Sequence, residues 1–178
     1  MSLKKLFMKN SLFYILLVSS CILTKDCLAQ KQTKSRFKAL VLYENGGHHL
    51  DFTKAAKPWL NKLAIDSSFT IDYIESTKTI NKALLKQYKV LIQLDYPPYT
   101  WSEESMQAFQ EYMSSGQGGW IGLHHATLLG EFDGYPMWKW FSDFMGGIRF
   151  KNYIPDFASG KVTIEDKLHP TTKNLPSD

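Results

Sequence analysis

Four of the five histidines occur as two adjacent pairs, His48-His49 and His124-His125. A neutral imidazole can take a proton, hydrogen-bond a hydroxyl or ligate a metal, so such pairs are natural material for a polar site. Each pair follows a short apolar run, and Asp95 follows a third such run. Adjacent side chains at a strand end point in different directions, so one histidine of each pair is expected to face a cleft. His124 and His49, with Asp95, are the expected catalytic residues. For Asp95 the plainer alternative is the cap of the next helix. His48, His125, Tyr99 and Trp138 are expected to line the substrate. Trp101, Trp138 and Trp140 can stack on sugar rings, although aromatic residues at helical spacing more commonly fill a core. His169, before Pro170, reads as a turn residue, and Glu131 and Asp133 as solvated loop charges.

Other chemistries lack their signals. No G-x-G-x-x-G follows a strand, and neither G-x-x-x-x-G-K-[ST] nor G-x-S-x-G is present, so the dinucleotide, P-loop and serine-hydrolase readings are unsupported. No H-x-x-x-H or H-E-x-x-H spacing occurs either. No metal ligand is therefore assigned and no cofactor is required; a divalent metal held by histidines and a carboxylate is a minor reading.

The elements that must position these residues follow from hydrophobic patterning. FKALVLYE (37–44), FTIDYIE (69–75), YKVLIQLD (88–95), GGWIGLH (118–124) and GKVTIED (160–166) read as strands, the first as one buried on both faces. Between them, residues 51–65 carry apolar side chains at helical spacing, with Pro58 predicting a kink or a start near Lys57. NKALLKQY is a short helix. Thr100 to Glu103 reads as a capping box opening a helix with Met106, Phe109 and Met113 on its buried stripe and a stop at Ser114-Ser115-Gly116. Tyr135 to Phe144 reads as an aromatic helix ended by Gly146-Gly147. Strand–helix alternation of this kind predicts an α/β fold, a mainly parallel sheet with helices on both faces. In such sheets the chemistry sits beyond the carboxyl ends of the strands, where both histidine pairs and Asp95 fall.

The N-terminus reads differently. Lys4, Lys5 and Lys9 precede the apolar run SLFYILLVSSCILT, the charged and apolar regions of a secretory signal. Cleavage after Ala29 is favoured; Val18-Ser19-Ser20-Cys21 resembles a lipobox and offers lipidation of Cys21 as the alternative. The expected location is extracytoplasmic, periplasmic or secreted, with membrane contact only through that segment or lipid. Residues 1–29 hold four lysines and one aspartate, so without them the net charge falls from +4 to +1. The basicity belongs to the leader and gives no reason to expect a nucleic-acid partner. Both cysteines, Cys21 and Cys27, also lie there, leaving the domain from residue 36 to 178 without a thiol nucleophile. The chain ends on HPTTKNLPSD directly after a predicted strand, which reads as a domain shortened at its C-terminus.

The strand LVLYENGGHH, the strand YKVLIQLD, the block GQGGWIGLHHAT, the W-x-x-F-x-x-F-M-G-G segment (138–147, with Trp138, Phe141, Phe144 and Met145) and a late His-Pro together resemble the ThuA-like, or trehalose utilization, family. The resemblance runs from about Phe37 to the C-terminus. It implies the class I glutamine amidotransferase-like fold, a flavodoxin-like three-layer sandwich. It also implies that His124 stands where amidotransferases carry their nucleophilic cysteine, which removes that activity. His49 or His48 matches the histidine after the first strand, and Ala126-Thr127 match the small residues after the strand-end histidine; His125 stands where the family often has a small residue. The implied role is in carbohydrate catabolism, on a disaccharide or 3-keto sugar as small-molecule partner, by a hydrolase or lyase. The alternatives are a non-catalytic sugar-binding or accessory module and, more weakly, a metal-dependent hydrolase.

Overall fold

The computed structural model describes residues 34–43, 49–95, 98–128, 134–150, 152, 154, 156 and 158–176. The predicted signal segment with both cysteines, together with Glu44, His48, Glu131 and Asp133, lies outside the described residues.

Four strands, β1 (Lys38–Leu42), β2 (Thr70–Ile74), β3 (Val90–Gln93) and β4 (Gly119–Gly122), form one sheet in the order β2-β1-β3-β4. Every pairing is parallel, with Leu40 opposite both Asp72 and Leu91, and Gln93 opposite Gly122. The helices are α1 (Leu50–Asp66), α2 (Lys82–Leu85), α3 (Glu103–Ser114) and α4 (Lys139–Phe144). Parallel strands need crossover connections, and α1, α2 and α3 supply them. The order is that of flavodoxin-like sandwiches.

The central position of β1 explains its sequence. Strand periodicity sends Leu40 and Leu42 to one face and Ala39 and Val41 to the other. Leu40 and Leu42 join a core with Leu85, Leu91, Phe109, Tyr112 and Phe141, under α2, α3 and α4. Ala39 and Val41 join Leu60, Ile92 and Leu94 under α1. Both faces are shut off from solvent from Ala39 to Leu42, which is why those four positions carry no polar residue and only Lys38, at the exposed start, does. Burying each such aliphatic side chain contributes roughly 1.5–3 kcal/mol.

Four predicted strands form, each trimmed by one or two residues at either end, and several other expectations need correction. The first helix begins at Leu50 and continues through Pro58 to Asp66 without a new start at Lys57. The cap of α3 is Ser102, whose hydroxyl accepts the Ser105 amide, so Thr100 plays no part in a capping box. Its buried face is Ser105, Ala108, Phe109 and Tyr112, with Met106 and Met113 at the margin. The aromatic helix starts at Lys139, four residues late, because Pro136 disfavours helical geometry at Tyr135 and Trp138 stays extended. It ends at Gly146 and Gly147, both with positive φ, as the sequence indicates. The fifth predicted strand does not form: residues 160–166 are irregular, and Val162 is 82% exposed. An alternating pattern makes a strand only when a neighbouring strand and a face to bury are at hand.

Candidate functional site

Because β1, β3 and β4 are parallel neighbours, their carboxyl ends share one edge of the sheet. His49 reaches that edge as the N-cap of α1, with a backbone near the helical region and no capping bond from its ring. The ring is buried and turns instead to His125: His125 Nδ1 lies 2.6 Å from His49 Nε2, close enough for one shared proton.

The other side of the site grows from β4. Ladder bonding runs one residue past the strand, with the Leu123 amide donating to Gln93 O at 2.9 Å. The chain then breaks at His124, which adopts φ +50°, a left-handed conformation that L-residues avoid. A single 3₁₀ turn, His124–Thr127, follows. It is pinned by the Ala126 amide on Leu123 O, by the Thr127 hydroxyl on His124 O and by Ala126 itself, which is fully buried. The small residue after the pair is thus a packing requirement of the turn.

That geometry corrects the expectation, for the second pair, that only one of its two histidines faces the cleft; His48 of the first pair lies outside the described residues. Strand alternation would send His124 and His125 apart, but a left-handed residue followed by a tight turn brings both rings toward His49. Ring centroids lie 4.0 Å apart for His124–His125, 4.2 Å for His49–His125 and 5.5 Å for His49–His124. One nitrogen from each ring can be chosen so that all three lie within 4.8 Å of one another. His49 is buried, His125 half-buried and His124 exposed, so the cluster opens to solvent on the His124 side. Phe52, in the first turn of α1, flanks it with its ring 6.3 Å from that of His124.

Asp95 sits at the end of β3, buried, and its carboxylate accepts a hydrogen bond from the Thr53 hydroxyl. Thr53 lies one helical turn beyond His49 on the same face of α1. Asp95 therefore ties the end of β3 to the helix that presents His49, and it is not a member of the three-nitrogen group. Among the described residues no carboxylate hydrogen-bonds the His124 ring.

The two expected aromatic contacts separate. Tyr99 stacks on Tyr135, with centroids 4.3 Å apart and planes within 15°, and Tyr135 is exposed. Trp138 stacks on Phe141 and meets Trp101 and Phe109, packed against the core beneath α3 and α4. His169 lies apart in a C-terminal turn, its Nδ1 bonded to the Thr171 hydroxyl.

Shifted ionisations mark the opposite edge of the sheet. Hydrogen bonds from Lys38 and then Tyr88 hold Asp72 below its ordinary carboxylate value. Burial, reinforced by the bond to Asp72, pushes Tyr88 up to about 12. Burial alone pushes Tyr112 up to about 12; its hydroxyl donates to Tyr88 O. This network serves the fold, being remote from the histidines.

Two glycines of the GQGGWIGLHH block, Gly118 and Gly122, also acquire a reason. A Cβ on Gly122 would stand 2.1 Å from the Trp120 ring, and one on Gly118 would stand 1.8 Å from the Tyr112 hydroxyl. Trp120 in turn donates its indole N–H to the buried Gln93 at 3.2 Å. Sequence spacing missed the cooperation of His125 with His49 because its members are 76 positions apart and converge only through parallel pairing.

The ThuA family, described as trehalose utilisation, matches residues 38–178. Among solved structures, a ThuA-like protein from Bacteroides uniformis ATCC 8492 is similar, with a TM-score of 0.69 and 31% identity over 84% of this chain. This chain spans 60% of that protein's length. Among curated proteins no match is found.

Proposed function

Since the chain belongs to the ThuA family, we propose that it is an exported protein of carbohydrate catabolism that binds or processes a disaccharide or 3-keto sugar at the histidine cluster. The observation that carries this reading is the convergence of His49, His124 and His125 at the carboxyl edge of a parallel sheet, where such folds take their ligands. Imidazoles in a solvent-open cluster suit hydroxyl-rich ligands, each nitrogen donating or accepting according to its tautomer. His124 and His49 contact the sugar, with His125 fixing the His49 ring. Asp95 holds α1 in place through Thr53, and the exposed Tyr135, stacked on the half-buried Tyr99, offers an aromatic ring against which a sugar can pack. His124 takes the position of an amidotransferase cysteine, and glutamine hydrolysis is not expected.

Export is supported by the lysine-flanked apolar run at residues 1–29. Mass determination of the protein recovered from its native host tests it: an N-terminus at Gln30 or a lipidated Cys21 supports it, and an intact N-terminus overturns it.

Titration calorimetry with disaccharides and their 3-keto forms, beside a glutaminase assay, tests the functional reading. Sugar binding that His124→Ala abolishes supports it. Glutaminase activity, or sugar binding indifferent to His124→Ala, overturns it. A second reading, a sugar-binding module without turnover, is favoured by one observation: no described carboxylate hydrogen-bonds His124 to complete a proton relay. Product analysis after prolonged incubation with each bound sugar separates the two.

A further inference from the structure

We propose that His49, His124 and His125 form a three-imidazole site for a borderline divalent metal of the zinc class, with a fourth position open to solvent. The reading does not rest on a sugar substrate; the ligand set stands on the rings alone.

The donor set selects the metal. Three neutral imidazole nitrogens suit zinc, nickel, copper and iron, whereas calcium and magnesium demand oxygen ligands that this cluster does not offer. A tetrahedral zinc ion about 2.0–2.1 Å from each nitrogen places the nitrogens roughly 3.3 Å apart. The observed spacings bracket that value: 2.6 Å for His125 Nδ1 to His49 Nε2, and no more than 4.8 Å across the group. Small ring rotations convert one arrangement into the other. In the metal-free protein the 2.6 Å contact is a hydrogen bond between the two rings, with its direction set by their tautomers. Metal entry takes the place of the hydrogen between the two nitrogens, and the donating ring then carries its proton on its other nitrogen, so that both rings ligate as neutral imidazoles.

The exposure gradient supplies the rest. His49 is buried and His124 exposed, so protein closes one side of the site and water has access to the other. Structural zinc sites are closed by four protein ligands; sites with three protein ligands keep a place for water or substrate. The strained backbone of His124 fits this account. A non-glycine residue held at φ +50° persists where the surroundings over-determine it, and such residues cluster at functional sites. Here the strain brings two consecutive side chains to bear on a third. Spacing motifs such as H-x-x-x-H could not reveal the set, because they describe ligands on one helix.

The test uses tag-free protein, stripped with chelator and titrated with zinc by calorimetry, with bound metal counted by elemental analysis. One zinc per chain is expected, with affinity at least tenfold weaker in His124→Ala and in His49→Ala, and unchanged in His169→Ala. Cobalt(II) in place of zinc is expected to give the visible absorption bands of a four-coordinate ion. Because His49 is buried, circular dichroism accompanies each variant; the exposed His124→Ala decides the question if His49→Ala fails to fold. Absence of stoichiometric zinc, or zinc affinity retained in His124→Ala, overturns the proposal. Neither result bears on sugar binding by the metal-free protein, so the two readings fail separately.

Discussion

His125 Nδ1 meets His49 Nε2 at 2.6 Å, joining the turn after β4 to the N-cap of α1. The contact makes two crossovers of the sheet agree on one point. Removing either ring leaves a partly or fully buried polar group short of its partner, a cost of about 1–3 kcal/mol. His125→Ala is expected to lower stability by about that amount, and His49→Ala by a similar amount. In a double-mutant cycle read by urea unfolding, the two losses are expected not to add; strict additivity would count against a direct coupling.

His124→Gly is expected to separate strain from function. Glycine adopts positive φ without penalty, whereas an L-residue there gives up about 1–2 kcal/mol, partly offset by the extra freedom glycine has when unfolded. The variant is expected to unfold at the same temperature or somewhat above, while losing binding at the cluster. A marked fall in unfolding temperature would show that the ring itself supports the fold.

Thr53→Val removes the hydroxyl that donates to buried Asp95 while keeping the side-chain volume. Hydrogen bonds to charged groups contribute about 1.5–3 kcal/mol, so a loss on that scale is expected, with weaker ligand binding as the start of α1 shifts. Thr53→Ser is expected to restore both. Equal stability of Thr53→Val and the parent protein would remove Asp95 from this positioning role.

Gly122→Ala places a methyl group where the Trp120 ring already lies. The ring must move and strain its bond to Gln93, so a destabilisation of about 1–3 kcal/mol is expected by thermal unfolding. Gly119→Ala, with open space around its Cα, is the control and is expected to change far less.

Alkali should find the tyrosines. The unfolded chain ionises them near 10, while Tyr88 and Tyr112 in the fold stay neutral up to about 12. Their stabilisation is therefore full below pH 10 and lost as pH rises toward 12, at about 1.4 kcal/mol per pH unit for each group. Tyr112→Phe is expected to flatten the decline in stability measured by urea unfolding between pH 10 and 12. Asp72 carries the opposite sign: its lowered value gives stability present above the usual carboxylate range and lost as pH falls through it. Asp72 and Lys38 are each nearly half exposed, so that contribution is small, about 0–1 kcal/mol.

The strands around the site were legible because burial on both faces writes a continuous apolar run, as in Ala39 to Leu42. Histidines at the ends of two such runs then had to reach one edge once the sheet was parallel. What local pattern could not carry was direction. The left-handed turn at His124 reverses the alternation that would have parted His124 from His125, and nothing in the residue type announces it. The Thr100 capping box failed for a related reason: Ser102, two residues on, offers an equally good cap, and tertiary packing of Ser105 against Thr77 O and Ile80 O chooses between them. Residues 160–166 carry strand-like alternation with no described strand beside them. Trp138 has the composition of a sugar platform and the packing of a core residue.

Because the histidine cluster draws on residues 76 positions apart, it exists only in the folded chain. Anything captured there binds the native state and not the unfolded one, so occupancy and folding share one free energy. The melting temperature of this protein is then a readout of ligand identity. Scanned against cations and sugars in turn, it should climb with the logarithm of concentration for whatever the cluster holds and stay flat for everything else.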